Sequence, residues 1–122
     1  MIARAEQALG RRLPAPWRGR LMRSNGGRVV TDEDEWELHP VLDDSDRSRL
    51  KRTCNDIVRE TAHARKWPEF PADAVAIGAN GMGDFLVLLP DSAGDTFSDI
   101  VYVWRHDESA IEVAHVLDVW EK

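Results

Sequence analysis

The residues able to do chemistry are few, and their spacing does not favour catalysis. The only cysteine, Cys54, falls between Leu50 and Ile57 on an apolar helical stripe. A thiol in such surroundings is a poor nucleophile, so the pattern places it buried and inert in the core. The four histidines, His39, His63, His106 and His115, include no i, i+4 pair, the helical spacing that brings two imidazoles onto one metal. His106-Asp107-Glu108 gathers ligand-type side chains, but neighbours at a hairpin turn point different ways, and a metal site needs converging ligands. No metal or other cofactor is expected. Gly78-x-x-Gly81-x-Gly83 resembles a phosphate loop only in its glycines. A phosphate cradle lies between a strand and a helix N-terminus, whereas strand-like sequence flanks this loop on both sides. Asp84 stands directly before Phe85-Leu86-Val87 and has two readings. One is a carboxyl with a raised pKa at the mouth of an apolar strand; the other, favoured by turn chemistry, is an acceptor for N–H groups within the glycine loop. No Gly-x-Ser-x-Gly elbow is present, so no nucleophile is paired with a base.

The elements that would carry these residues follow from periodicity. Ile2, Ala5 and Leu9 follow a helical spacing that Gly10 closes, because glycine accepts the left-handed conformation of a helix C-cap. Pro14-Ala15-Pro16 opens a second helix, with Trp17 and Leu21 on one face and Asn25-Gly26-Gly27 as its stop,. Val29-Val30 and Trp36-Glu37-Leu38 read as short strands around an acidic turn, Asp32 to Glu35, with Trp36 expected to be partly exposed beside it. Residues 47–67 read as one long helix, apolar at Leu50, Cys54, Ile57, Val58 and Thr61 and ended by Pro68,. Strand signals follow at 74–77, 85–89, 100–104 and 111–114, with a loop from Asp91 to Asp99 and the first turn of a helix at 116–120,. Short links between successive strands call for antiparallel pairing. The expectation is an α+β fold: a central antiparallel sheet of about five or six short strands, with two N-terminal helices and one long helix packed against it.

Charge is distributed in blocks. Residues 1–30 hold seven arginines and one acid, residues 31–46 eight acids and no base, residues 47–67 seven bases and two acids, and residues 68–122 two bases and eleven acids, for a net charge of -6. Such blocks either neutralise one another across the fold or present an acidic docking surface to a basic partner. The overall negative charge and the absence of an aromatic–glycine RNA-binding motif argue against nucleic acid. No apolar run approaches the roughly 20 residues of a membrane span, and residues 1–14 do not read as a signal peptide,. A lone cysteine suits a reduced compartment, so a cytoplasmic domain is expected.

Four blocks, taken in order, resemble the SUKH superfamily, which includes the fungal cell-wall-synthesis regulator and many bacterial relatives. The first runs from Ala5 and Glu6 through Leu9, Gly10, Leu13 and Pro14 to Asn25-Gly26-Gly27. The second is Trp36-Glu37-Leu38-His39-Pro40, and the third is Ile77 to Leu86, including Gly81, Gly83 and Asp84. The fourth is Val101 to Glu108. The resemblance covers residues 1–122 as a single domain, with the first helix about one turn short and the C-terminal helix short or absent. It implies an α+β fold, no catalysis, and a protein partner. Bacterial members are thought to be immunity proteins that neutralise polymorphic toxins, including nucleases, and the fungal branch acts as a scaffold. The expectation is therefore a non-enzymatic module that binds a toxin domain, with a regulatory scaffold as the alternative and a small hydrolase as the weakest reading. Asp32, Glu33, Asp34, Glu35, Trp36, Asp91, Asp95 and Asp99 are its candidate partner-binding residues, because nuclease active sites are basic.

Overall fold

The computed structural model describes residues 1–31, 34–107 and 110–114. Asp32, Glu33, Glu108, His115 and the expected helical turn at 116–120 lie outside them. The elements are α1 (Ile2–Leu9), α2 (Ala15–Arg23), β1 (Arg28–Thr31), β2 (Asp34–Leu38), α3 (Arg47–Arg52), α4 (Ile57–Ala64), β3 (Val75–Ala79), β4 (Phe85–Pro90), β5 (Phe97–Arg105) and β6 (Ala110–Ala114). The six strands pair in chain order, each antiparallel to the next. This is the expected α+β architecture; the links β1–β2, β3–β4, β4–β5 and β5–β6 are too short for a crossover, while the long link from β2 to β3 carries α3 and α4 and still returns antiparallel.

The sheet has a core on both faces. On the front, Val29, Trp36, Leu38, Val75, Ile77, Leu86, Leu88, Val101 and Val103 pack with Ala5 and Leu9 of α1, Trp17 and Leu21 of α2, and Ile57 of α4. On the back, Ala76, Phe85, Val87 and Trp104 pack with Ala64, Phe70 and Ala74. Phe70 meets Trp104 and Phe85 edge-on, with ring centroids 5.2 and 5.9 Å away, the arrangement that aromatic quadrupoles favour. The irregular segment after α4 thus covers the back of β3–β5.

Residues 47–67 form two helices rather than one. Thr53 closes α3, its hydroxyl donating to the Arg49 carbonyl at 2.8 Å. Asp56 then opens α4 by accepting the N–H groups of Val58 and Arg59, both at 3.0 Å. This N-cap outweighs the continuous periodicity, since an aspartate in this position satisfies donors that a single helix would not leave free. The break overturns the expectation for Cys54, which lies in the turn between the helices and is exposed, and Leu50 is 42% exposed.

α4 also repairs an edge inside the sheet. β2 meets β3 at only two positions, Glu37↔Ala79 and Leu38↔Gly78, so the first half of β3 has no strand on that side. Its polar groups are met by Thr61 of α4 and by His39, through both its side chain and its backbone. The Ala76 N–H donates to Thr61 Oγ1 at 3.0 Å, the Ile77 carbonyl accepts the His39 N–H at 2.8 Å, and His39 Nδ1 lies 2.8 Å from the Ala76 carbonyl. A carbonyl takes only a donor, which places the proton on Nδ1. His39 is 3% exposed. Burial holds its pKa below the usual histidine value, against the opposing pull of the Ala76 hydrogen bond and of Glu60, Glu37 and Asp56.

Candidate functional site

Antiparallel order sets the start of β2, the end of β3, the start of β4 and the end of β5 side by side. Polar residues stand at all four positions: Asp34, Asn80, Asp84 and Arg105. The Arg105 guanidinium spans them, donating from Nη1 to Asp84 Oδ2 at 3.1 Å and from Nη2 to Asp34 Oδ2 at 3.0 Å. Asn80 Nδ2 donates to Asp84 Oδ2 at 3.0 Å and to Asp34 Oδ1 at 3.4 Å. Its Oδ1 accepts the N–H groups of Met82 at 2.9 Å and Asp84 at 3.3 Å, a side-chain mimic of a backbone turn. Asp84 Oδ1 accepts the His106 N–H at 3.2 Å and stands 2.9 Å from His106 Nδ1. The His106 ring rests on Trp67, their centroids 5.1 Å apart. Gly83 permits this approach: a Cβ there would lie 2.9 Å from His106 Nδ1, and its φ of 92° disfavours any other residue,.

Burial pushes the Asp84 carboxyl up, but hydrogen bonds from His106, Asn80 and Arg105 outweigh it and hold the pKa below the usual carboxylate value. Asp84 is an acceptor, but its donors are chiefly Arg105 and His106 at the end of β5; from the glycine loop only the Asn80 side chain donates to it, and the loop N–H groups of Met82 and Asp84 go to Asn80 Oδ1 instead. Burial likewise opposes the charge on Arg105, and Asp34 and Asp84 together raise its pKa. Asp84, His106 and Asp107 could each offer one ligand atom, all within 4.8 Å of one another. The donor set does not suit a cation, because both Asp84 oxygens already accept N–H groups and a guanidinium sits 3.1 Å away,. A carboxylate oxygen only accepts, so this contact places a proton on Nδ1 of His106,. Among the described residues no serine, threonine or cysteine hydrogen-bonds to that imidazole. The arrangement is a clasp between strands.

The structure brings two of the four motif blocks and part of the acidic run into this clasp. The first motif block does a different job. Leu9 and Leu13 are core residues, Gly10 closes α1, and Glu6 Oε2 accepts the Leu13 N–H at 2.6 Å ahead of buried Pro14. Asn25 clasps Val41 from both sides, donating to its carbonyl at 2.9 Å and accepting its N–H at 2.8 Å. A Cβ on Gly26 would stand 3.5 Å from the Leu38 carbonyl oxygen at a φ of 104°, and the Gly27 carbonyl accepts the Leu38 N–H at 2.8 Å. Gly81 is at the exposed tip of the β3–β4 loop.

Trp36 corrects an expectation. It is 0% exposed, paired across the hairpin with Val29, and cannot serve as a surface anchor. Asp34 belongs to the clasp. Glu35 is exposed and meets Arg28 at 2.9 Å. Asp91 accepts the N–H groups of Ala93 and Gly94, Asp95 is exposed beside Arg12, whose N–H its carbonyl accepts at 3.0 Å, and Asp99 is exposed within β5. Sequence reasoning missed Arg105 and Asn80. Arg105 lies 71 residues from Asp34, a separation at which local pattern carries no signal.

A helix-backed antiparallel meander closed by a polar clasp defines a small α+β domain whose motifs serve its architecture. The family model described as SMI1 / KNR4 family (SUKH-1) matches residues 1–121, and the chain belongs to that family, within the SUKH superfamily. No curated protein and no solved structure matches the chain.

Proposed function

We propose that this domain is a non-catalytic protein-binding module of the cytoplasm, and that its partner is a toxin domain whose active site it covers. One observation carries the reading. The polar side chains of the family motifs bond to one another or to the backbone, as Asn25, Asn80, Asp84 and His106 do, so recognition falls to exposed residues outside them. Membership of the SMI1 / KNR4 family supports a protein-interaction role. Among the described residues no helix is long and apolar enough to cross a membrane. The candidate surfaces are acidic and lie at opposite ends of the sheet: the β1–β2 end, with Glu35 and its sequence neighbours Asp32 and Glu33, and the start of β5, with Asp95 and Asp99; either would complement the basic active site of a nuclease.

The test is to purify the toxin domain encoded beside the gene and titrate it with this protein. A one-to-one complex that abolishes toxin activity is the expected result. No complex and an unimpaired toxin would overturn the toxin reading and leave the scaffold, whose partner would be an endogenous protein of the same cell.

A further inference from the structure

Among the described residues, the back of the sheet is covered along β3–β5 and uncovered along β1–β2. Strand register puts Arg28, Val30, Glu35, Glu37 and Ala79 on this uncovered part, since Arg28 faces Glu37, Val30 faces Glu35 and Glu37 faces Ala79. Val30 is 63% exposed. Between the strands lies a recess of about 290 Å³ lined by Arg28, Glu35, Glu37, Ala79, Asn80 and Gly81. Two features make it receptive to a cation. The exposed Glu37 carboxylate makes no hydrogen bond or ion pair with another described residue. The Arg28–Glu35 pair is 71% and 60% exposed at its side chains, so it contributes little to stability and is readily exchanged.

We propose that this face docks the protein partner and that the recess receives an arginine or lysine side chain from it. Resting on the protein-binding reading above, the assignment names the recognised chemistry. The incoming cation sits between Glu35 and Glu37, which project from the same side of β2 two residues apart, and takes the place that Arg28 holds in the free domain. Val30 beside it supplies the apolar contact. A guanidinium suits this recess best, because its planar fork can meet two carboxylates together.

The probe is hexa-arginine amide, titrated into the isotopically labelled full chain and followed by backbone amide shifts. Shifts centred on 28–30, 35–38 and 79–81 are expected, with affinity reduced roughly three- to tenfold in Glu35→Gln/Glu37→Gln. The control Glu69→Gln/Asp73→Asn makes the same charge change at exposed positions of the segment after α4 and should leave affinity within about twofold. Equal weakening by both variants, shifts centred elsewhere, or no binding would overturn the proposal. So would a concentration-dependent dimer abolished by Val30→Lys, which would assign the face to a second copy of the chain. Failure of the toxin reading looks different: the peptide binds here and the toxin domain does not. A toxin complex unaffected by Glu35→Gln/Glu37→Gln would keep that reading and remove the recess.

Discussion

The two parts of the sheet's back face differ in what lies on them. Behind β3–β5, Ala64, Phe70 and Ala74 enclose Phe85, Val87 and Trp104, and Trp67 closes the rim against His106. Behind β1–β2 there are charged side chains and an exposed valine. On the front of the same strands, Val29, Trp36 and Leu38 are core. The described residues therefore anchor the hairpin from one side only, so substitutions behind β1–β2 should cost little to folding.

The largest effect expected from this difference is on stability. Phe70→Ala should cost about 3–5 kcal/mol, as should Trp36→Ala on the front, through the cavities they leave. Val30→Ala should stay within about 0.5 kcal/mol. Chemical denaturation of the three variants checks this, and a comparable loss at Val30 would mean that the back of β1–β2 is packed.

The clasp comes next. Asp84→Ala removes the acceptor for Asn80, Arg105 and His106, and should cost about 2 kcal/mol, since it leaves part-buried donors unpaired. Its pH dependence has a fixed sign. A carboxyl whose folded pKa lies below its unfolded value contributes stability above the unfolded pKa of about 3.9, and that contribution is lost as pH falls through the folded value. Melting curves across the acid range should therefore be flatter for the variant than for the parent.

His39 gives a smaller effect at milder pH. Its folded pKa is held down by burial, so the unfolded chain binds the proton more readily. Stability should decline as pH falls below about 6.5 and continue to decline toward the folded pKa. His39→Leu should lose that slope even though its baseline stability drops, because the Ala76 carbonyl loses its donor. A slope left unchanged by the substitution between pH 8 and pH 5 would show that the folded imidazole takes up its proton as readily as the unfolded one.

The smallest effect is at Cys54. Exposed between α3 and α4, it should react with a thiol reagent at the rate of a free cysteine, and Cys54→Ala should change stability by less than about 0.5 kcal/mol.

Much of the fold was legible because strands and turns declare themselves locally. The apolar runs at 85–89 and 100–104 became β4 and β5, and the glycines and Asn25 fell at the chain reversals they suggested. The errors share a cause. Trp36 was read through its acidic neighbours, although strand alternation, Glu35 out, Trp36 in, Glu37 out, contains the right answer. The helix at 47–67 was read through its apolar spacing, while Asp56 stated a new N-terminus. The clasp was half visible: Gly83 and Asp84 marked a turn, but Asp34 and Arg105 meet only after four strands have paired. The cover behind β3–β5 has no period at all, because residues 65–74 form neither helix nor strand.

The most direct measurement is the amide hydrogen-exchange footprint of this protein mixed with the toxin domain proposed as its partner. Protection gained along Arg28–Val30 and Glu35–Leu38, with Trp67–Ala74 unchanged, is the result expected if the bare part of the sheet is the docking face. Protection confined to the helices, or to the cover behind β3–β5, would contradict it.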